Sequence, residues 1–304
     1  MSRKLWMQWG IVCYASPLVA IVHDPFLQEQ TFVTKGQTWH VEGDYSILGR
    51  ASIEHATQKM HYREGNISLF ASHFFHEEHA LSWQLGMHCI DLGWHQNPYF
   101  SKQSYPYMLS SVNWISQAVA KWRWKMGAGV SFNAETFLFG PSAVYYGTLW
   151  GRYTQNSTLD LHLGFFGYYG VHNGYLLPIL GVDWWMAPAW QLRAIFPQEV
   201  GVRYHPTHSL VASLLATSMG GPYRFPYRID QGITQETDFG IFKVFSTAVE
   251  LNLELHFDEI FRMGAGGGYD FGGFVLTMNA QARHKHYSFF DGAPYARFFA
   301  SATF

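Results

Sequence analysis

Tyr295-Ala296-Arg297-Phe298-Phe299-Ala300-Ser301-Ala302-Thr303-Phe304 reads with a period of two. One face carries Ala296, Phe298, Ala300, Ala302 and Phe304. The other carries Arg297, Ser301 and Thr303. Successive side chains of a strand point to opposite sides of the sheet, so this is a strand with an apolar medium on one side and a wetter one on the other.

The same alternation returns well inside the chain. In residues 121–132, Trp122, Trp124, Met126, Ala128, Val130 and Phe132 share one face, and Lys121, Arg123, Lys125, Gly127, Gly129 and Ser131 share the other. Leu159, Leu161, Leu163 and Phe165 alternate with Thr158, Asp160, His162 and Gly164. Val249, Leu251, Leu253, Leu255 and Phe257 alternate with Glu250, Asn252, Glu254 and His256. Leu81, Trp83, Leu85, Met87 and Cys89 alternate with Ser82, Gln84, Gly86 and His88. A soluble sandwich accounts for any one of these strands. It accounts poorly for all of them, because the apolar faces are long and nearly unbroken, aromatics gather toward strand ends, and the polar faces are rich in Gly and other small residues.

Composition narrows the field further. Charged residues make up 14% of the 304 and aromatics 18%, whereas about a quarter of a soluble domain is charged. No window reaches the roughly 18–20 consecutive apolar residues of a membrane-spanning helix. A transmembrane barrel reconciles these facts, since its outward apolar and inward polar residues average out. The net charge of −2 provides no basic field for nucleic acid. The expectation is an all-β chain: a closed antiparallel transmembrane β-barrel of about 12 strands, with 10–14 possible.

The terminal strand, with Phe304 at its end, resembles the closing strand of Gram-negative outer-membrane β-barrels. The stretch Leu177-Pro178-Ile179-Leu180-Gly181-Val182-Asp183-Trp184, with Phe196-Pro197 and Gly220-Gly221-Pro222-Tyr223-Arg224, resembles a barrel family of unknown function over roughly residues 140–304. The resemblance implies an outer-membrane location, contact with outer-membrane lipid, and recognition of Phe304, with Phe298 beside it on the membrane face, by the barrel-assembly machinery. It implies no chemistry.

Ser2-Arg3-Lys4 followed by the apolar stretch Leu5 to Tyr14 reads as an export signal, residues 1–20, cleaved after Ala20 or alternatively after Ala15. Residues 21–36 then form a periplasmic lead and 37–304 a single barrel domain. Val12 before Cys13 argues against lipidation at that cysteine. Cys89 alone would remain, leaving no intramolecular disulfide. Turn residues place tight connections at 155–157, 187–189 and 205–207 and longer segments at 95–106, 133–141, 220–238 and 287–294, while Pro197 implies a bulge or an extra turn.

Candidate chemistry is sparse. His73-Phe74-Phe75-His76-Glu77-Glu78-His79 lacks the spacing of a zinc-protease helix and reads as a solvated hairpin tip. Gly264-Ala265-Gly266-Gly267-Gly268 lacks the following helix of a nucleotide loop and reads as strand curvature. No local signature marks a catalytic triad, so no enzyme, cofactor or metal is expected, and a lipid-modifying barrel enzyme stands only as a third reading. What remains is an inward charge set: Lys121, Arg123 and Lys125 against Asp160, His162, Glu250, Asn252 and Glu254. In a wide barrel such groups line a passive pore for small polar solutes; in a narrow one they pair and plug it, leaving a structural or adhesive surface protein.

Overall fold

The computed structural model describes residues 37–54, 59–76, 78–94, 104–135, 143–170, 173–224, 240–258, 260–278 and 285–304. The proposed signal, the lead to residue 36, and residues 225–239 lie outside them. Sixteen strands form one antiparallel sheet. They are β1 (Gln37–Ser52), β2 (Lys59–His76), β3 (His79–Gly93), β4 (Ser104–Ser116), β5 (Trp122–Asn133), β6 (Val144–Asn156), β7 (Leu159–Gly170) and β8 (Asn173–Ala187). There follow β9 (Trp190–Phe196), β10 (Glu199–Thr207), β11 (Leu210–Met219), β12 (Pro222–Arg224), β13 (Ile241–Phe257), β14 (Phe261–Met278), β15 (His286–Phe290) and β16 (Ala293–Thr303).

The sheet closes on itself where β1 pairs with β16, from His40 opposite Thr303 to Leu48 opposite Tyr295. Phe304 and Trp39 exchange both backbone hydrogen bonds at the seam, 2.7 and 3.0 Å. Fourteen strands complete the ring, because β12 and β15 are continuations of β11 and β16. Among the described residues closure leaves no second sheet, which disposes of the sandwich. The count lies at the upper end of the expected ten to fourteen for a physical reason. Only two residues separate β7 from β8 and β9 from β10, so those hairpins take less chain than a span-plus-loop average allows.

Both described termini lie at one end of the ring, here called proximal. All the short turns there, such as Asn156–Leu159, Ala187–Trp190, Thr207–Leu210 and Phe257–Phe261, join strands across a few residues. The longer connections after β3, β5 and β12 all leave the opposite, distal end, the sidedness of a membrane barrel. Residues 287–294, expected as a loop, are instead the end of β15, a break at Asp291-Gly292 and the start of β16. Pro197 sits in the two-residue β9–β10 turn, where a strand could not use its missing N–H.

Outward residues form a lipid-like belt. Leu81, Trp83, Leu85, Met87, Leu161, Leu163, Phe165, Leu251, Leu253 and Leu255 all face out and are exposed. Such a continuous apolar surface far exceeds the few hundred Å² that a soluble protein tolerates. Aromatics cluster on the outside near the proximal rim: Trp122 stacks on Trp124 at 4.9 Å beside Tyr153, and Trp190 meets Tyr204 at 4.7 Å. Those are interfacial girdle positions.

Candidate functional site: the barrel lumen

The inward residues divide into two layers. The proximal and middle layer is polar and charged, and it holds most of the residues singled out from sequence. Arg123 and Lys125 face inward on β5, whereas Lys121 occupies the preceding turn with φ of 65° and lies at the rim. On β7, Asp160 accepts from Arg152 at 2.6 Å, and His162 lies within 3.0 Å of the donating Trp150 indole. On β13, Glu254 contacts His256 at 2.7 Å and Arg262 at 3.6 Å, and Asn252 and Glu250 follow upward on the same face. Phe298 and Phe304 point outward, 53% and 73% exposed. In the ring β5 and β13 stand seven strands apart in either direction, so cations and acids oppose one another across the full diameter.

The glycine run of β14 explains how large side chains fit beside that wall. Gly264 and Gly266 face inward, and a β-carbon on either would collide with the Phe299 ring or the Glu250 carboxylate. The run is therefore a recess in which those side chains lie flat across the strand.

Two clusters escaped the sequence reading. Arg193 on β9 bridges Asp183 on β8, at 3.6 Å, and Glu199 on β10, which also takes Arg203 at 2.9 Å; Gln191 donates to Asp183 at 2.6 Å. Of these strands β9 and β10 are short and separated by Pro197, so their alternation was too brief to register. On the other side Glu64 accepts from Tyr62 at 2.8 Å and contacts His88 at 2.9 Å, while Arg297 faces the carboxylates of Asp44 and Glu250. Most acids thus have a basic partner, but Asn113 Oδ1, Asn252 Oδ1 and Thr148 Oγ1 are buried with no hydrogen-bond partner among the described residues. Buried polar atoms need partners, and in an enclosed polar space those are water. Among the described residues no group of three metal-ligating side chains converges.

The distal layer is apolar and aromatic. Leu48, Met60, Tyr62, Ile90, Leu92, Tyr105 and Tyr107 turn inward from β1–β4 and meet Tyr223, Phe242, Val244 and Val275 coming from β12–β14. Tyr105 and Phe242 lie 4.9 Å apart between ring centroids, Tyr223 and Phe242 5.0 Å, Tyr107 and Tyr223 5.7 Å. These contacts cross the lumen, so the distal half is filled by its own walls. No sequence signal announced this, because the residues responsible lie on faces that look polar further along the same strands.

No family model matches the chain. A protein of Chlamydia trachomatis serovar D with no described function is 25% identical over 240 residues, 73% of each chain. Among solved structures, a mutant of the monoaromatic hydrocarbon channel TodX superposes with a TM-score of 0.49 at 10% identity, over 90% of this chain and 91% of that one. An outer-membrane channel from Pseudomonas putida F1 gives 0.49 at 9% identity, over 91% and 100%.

Proposed function

We propose that this protein is an outer-membrane channel that passes small solutes passively and carries no catalysis. The observation that supports the reading is the proximal lumen: a polar layer inside a fourteen-strand ring, with opposed charges on β5 and β13 and buried polar atoms that have no partner among the described residues. About eight strands are filled by side chains and about sixteen leave an aqueous channel, so fourteen is wide enough for a hydrated path. The solutes it suits are small and polar over part of their surface, with an apolar portion compatible with the distal aromatic layer. Purified protein in planar bilayers is expected to give discrete conductance steps, and a folded barrel that never conducts overturns the reading.

The filled distal half favours a second reading, a closed barrel serving as a structural or adhesive surface protein. The same bilayer recording separates the two. Biogenesis through the assembly machinery is proposed to use Phe304, whose backbone completes the seam while its ring faces outward. Phe304→Ala is expected to lower the amount of barrel reaching the outer membrane several-fold while refolding normally in detergent; equal amounts in the membrane would remove Phe304 from that role.

A further inference from the structure

The sheet has a fold line. At one level across four adjoining strands the regular ladder is interrupted: Gly220, with φ of 100°, and Gly221 between β11 and β12; a register shift between Ser246 and Ala248 of β13; Gly272, with φ of 86°, in β14; and Asp291-Gly292 between β15 and β16. These positions are neighbours, since Met219 pairs with Ser246, Ser246 with Gly273, and Gly273 with Phe290. Glycines and bulges are the devices by which a sheet turns sharply.

Beyond that line the segment made of β12, β15 and the distal parts of β13 and β14 leaves the wall and enters the lumen. Its two faces prove it. Phe242, Val244 and Val275, on the inward face, pack against β1–β4. Ile241, Leu276 and Met278 alternate with them and would face lipid in an ordinary wall, yet all three are buried, against the inward-facing Phe166, Leu177 and Ile179 of β7 and β8. Lys243, on the same outer face, donates to the Tyr175 hydroxyl of β8 at 3.2 Å and lies over its ring at 5.5 Å.

Room for this movement comes from the short β9–β10 hairpin. β9 pairs with β8 only from Leu180 onward, and β10 pairs with β11 only up to Ala216, so above the hairpin the wall is two strands short. Apart from Lys243, whose long side chain lies near the distal rim and can reach the headgroup level, the outer face of the folded segment is apolar and aromatic. It is equally suited to the interior of the barrel, where it now lies, and to the lipid it would meet if the segment straightened.

Taking the channel reading as its basis, the geometry points to a gate: the β12–β15 segment is a hinged part of the wall that closes the distal lumen by folding in and opens it by swinging out to the membrane face. The two arrangements exchange apolar packing for apolar solvation and break one latch, Lys243–Tyr175.

The test uses the full chain in lipid bilayers, with Cys13 and Cys89 changed to Ser and with Tyr175→Cys and Lys243→Cys joined by a reducible bis-thiol crosslinker. Untethered protein is expected to switch between a low and a high conductance level. The tether is expected to cut the time spent in the high level at least about tenfold, and reduction to restore it. Equal conductance with and without the tether overturns the gate while leaving the channel reading intact. Should neither form conduct, the channel reading fails, and a second measurement still decides the gate. Spin labels at Leu176 and Phe289, both exposed, are expected to show two distance populations in proteoliposomes. A single narrow population overturns it.

Discussion

Arg193 shows how much a single side chain inside the lumen can hold. It stands between Asp183 and Glu199, and all three are largely buried. Removing the cation leaves two acids with less compensation in a confined space, so Arg193→Met is expected to destabilise the refolded barrel by about 3–5 kcal/mol, read from urea unfolding in lipid vesicles. Arg123 and Lys125 make a different kind of claim, because under the proposed channel reading they would set which ions pass. Replacing both with Glu places acid on the two opposed walls, and the reversal potential in a salt gradient is expected to move toward cations. Lys121→Glu alone, at the rim, is expected to move it far less. Unchanged potentials in the double variant would show that β5 does not line the path. At this scale the sequence was informative wherever alternation was long: Asp160, His162, Glu250, Asn252 and Glu254 all face inward as their strands demand. Lys121 differs because the strand starts one residue later, at Trp122, after a left-handed turn position that periodicity cannot see.

Individual strands carry the membrane argument. Leu163 of β7 sits between exposed Leu161 and Phe165 on the outer face, in the middle of a twelve-residue strand. A cation there would have to reach an interface from mid-bilayer, so Leu163→Arg is expected to cost about 2–4 kcal/mol of unfolding free energy, and the same change at Tyr169, near the distal end of the strand, about 0–1 kcal/mol. Equal costs at both sites would mean that the belt is not where lipid lies. Strands of this length and purity were readable without coordinates. The β9–β10 hairpin was not, since seven and nine residues joined by a proline turn offer too few alternations to separate from a bulge. Nor was β15, where Tyr287 to Phe290 precede a Gly and a Pro and resemble a loop until the pairing with β14 is seen.

The molecule as a whole is a ring, and ring closure has an operational signature. A closed, hydrogen-bonded barrel resists detergent denaturation until heated, so the protein is expected to migrate faster in unheated than in boiled gel samples and to need detergent for extraction. Identical mobilities together with solubility in buffer would contradict the barrel. The filling of the distal lumen was beyond the reach of sequence for a reason of scale. Ile241, Leu276 and Met278 alternate with inward-facing neighbours, and only the turn of four strands together at one level brings their face inside.

The seam between β1 and β16 also sets a condition on how the chain reaches this state. His40 and Thr303, whose side chains hydrogen-bond across it, are separated by 263 positions. Every other neighbour in the ring from β1 to β11 comes from the adjacent hairpin, so most of the ladder can zip locally, while the final pairing pays the entropy of closing nearly the entire polypeptide. Until it forms, two strands present open edges on an apolar sheet, the arrangement most prone to self-association. Maturation is therefore expected to be limited by one late, long-range event, and to depend on helpers that shield the two waiting edges in transit.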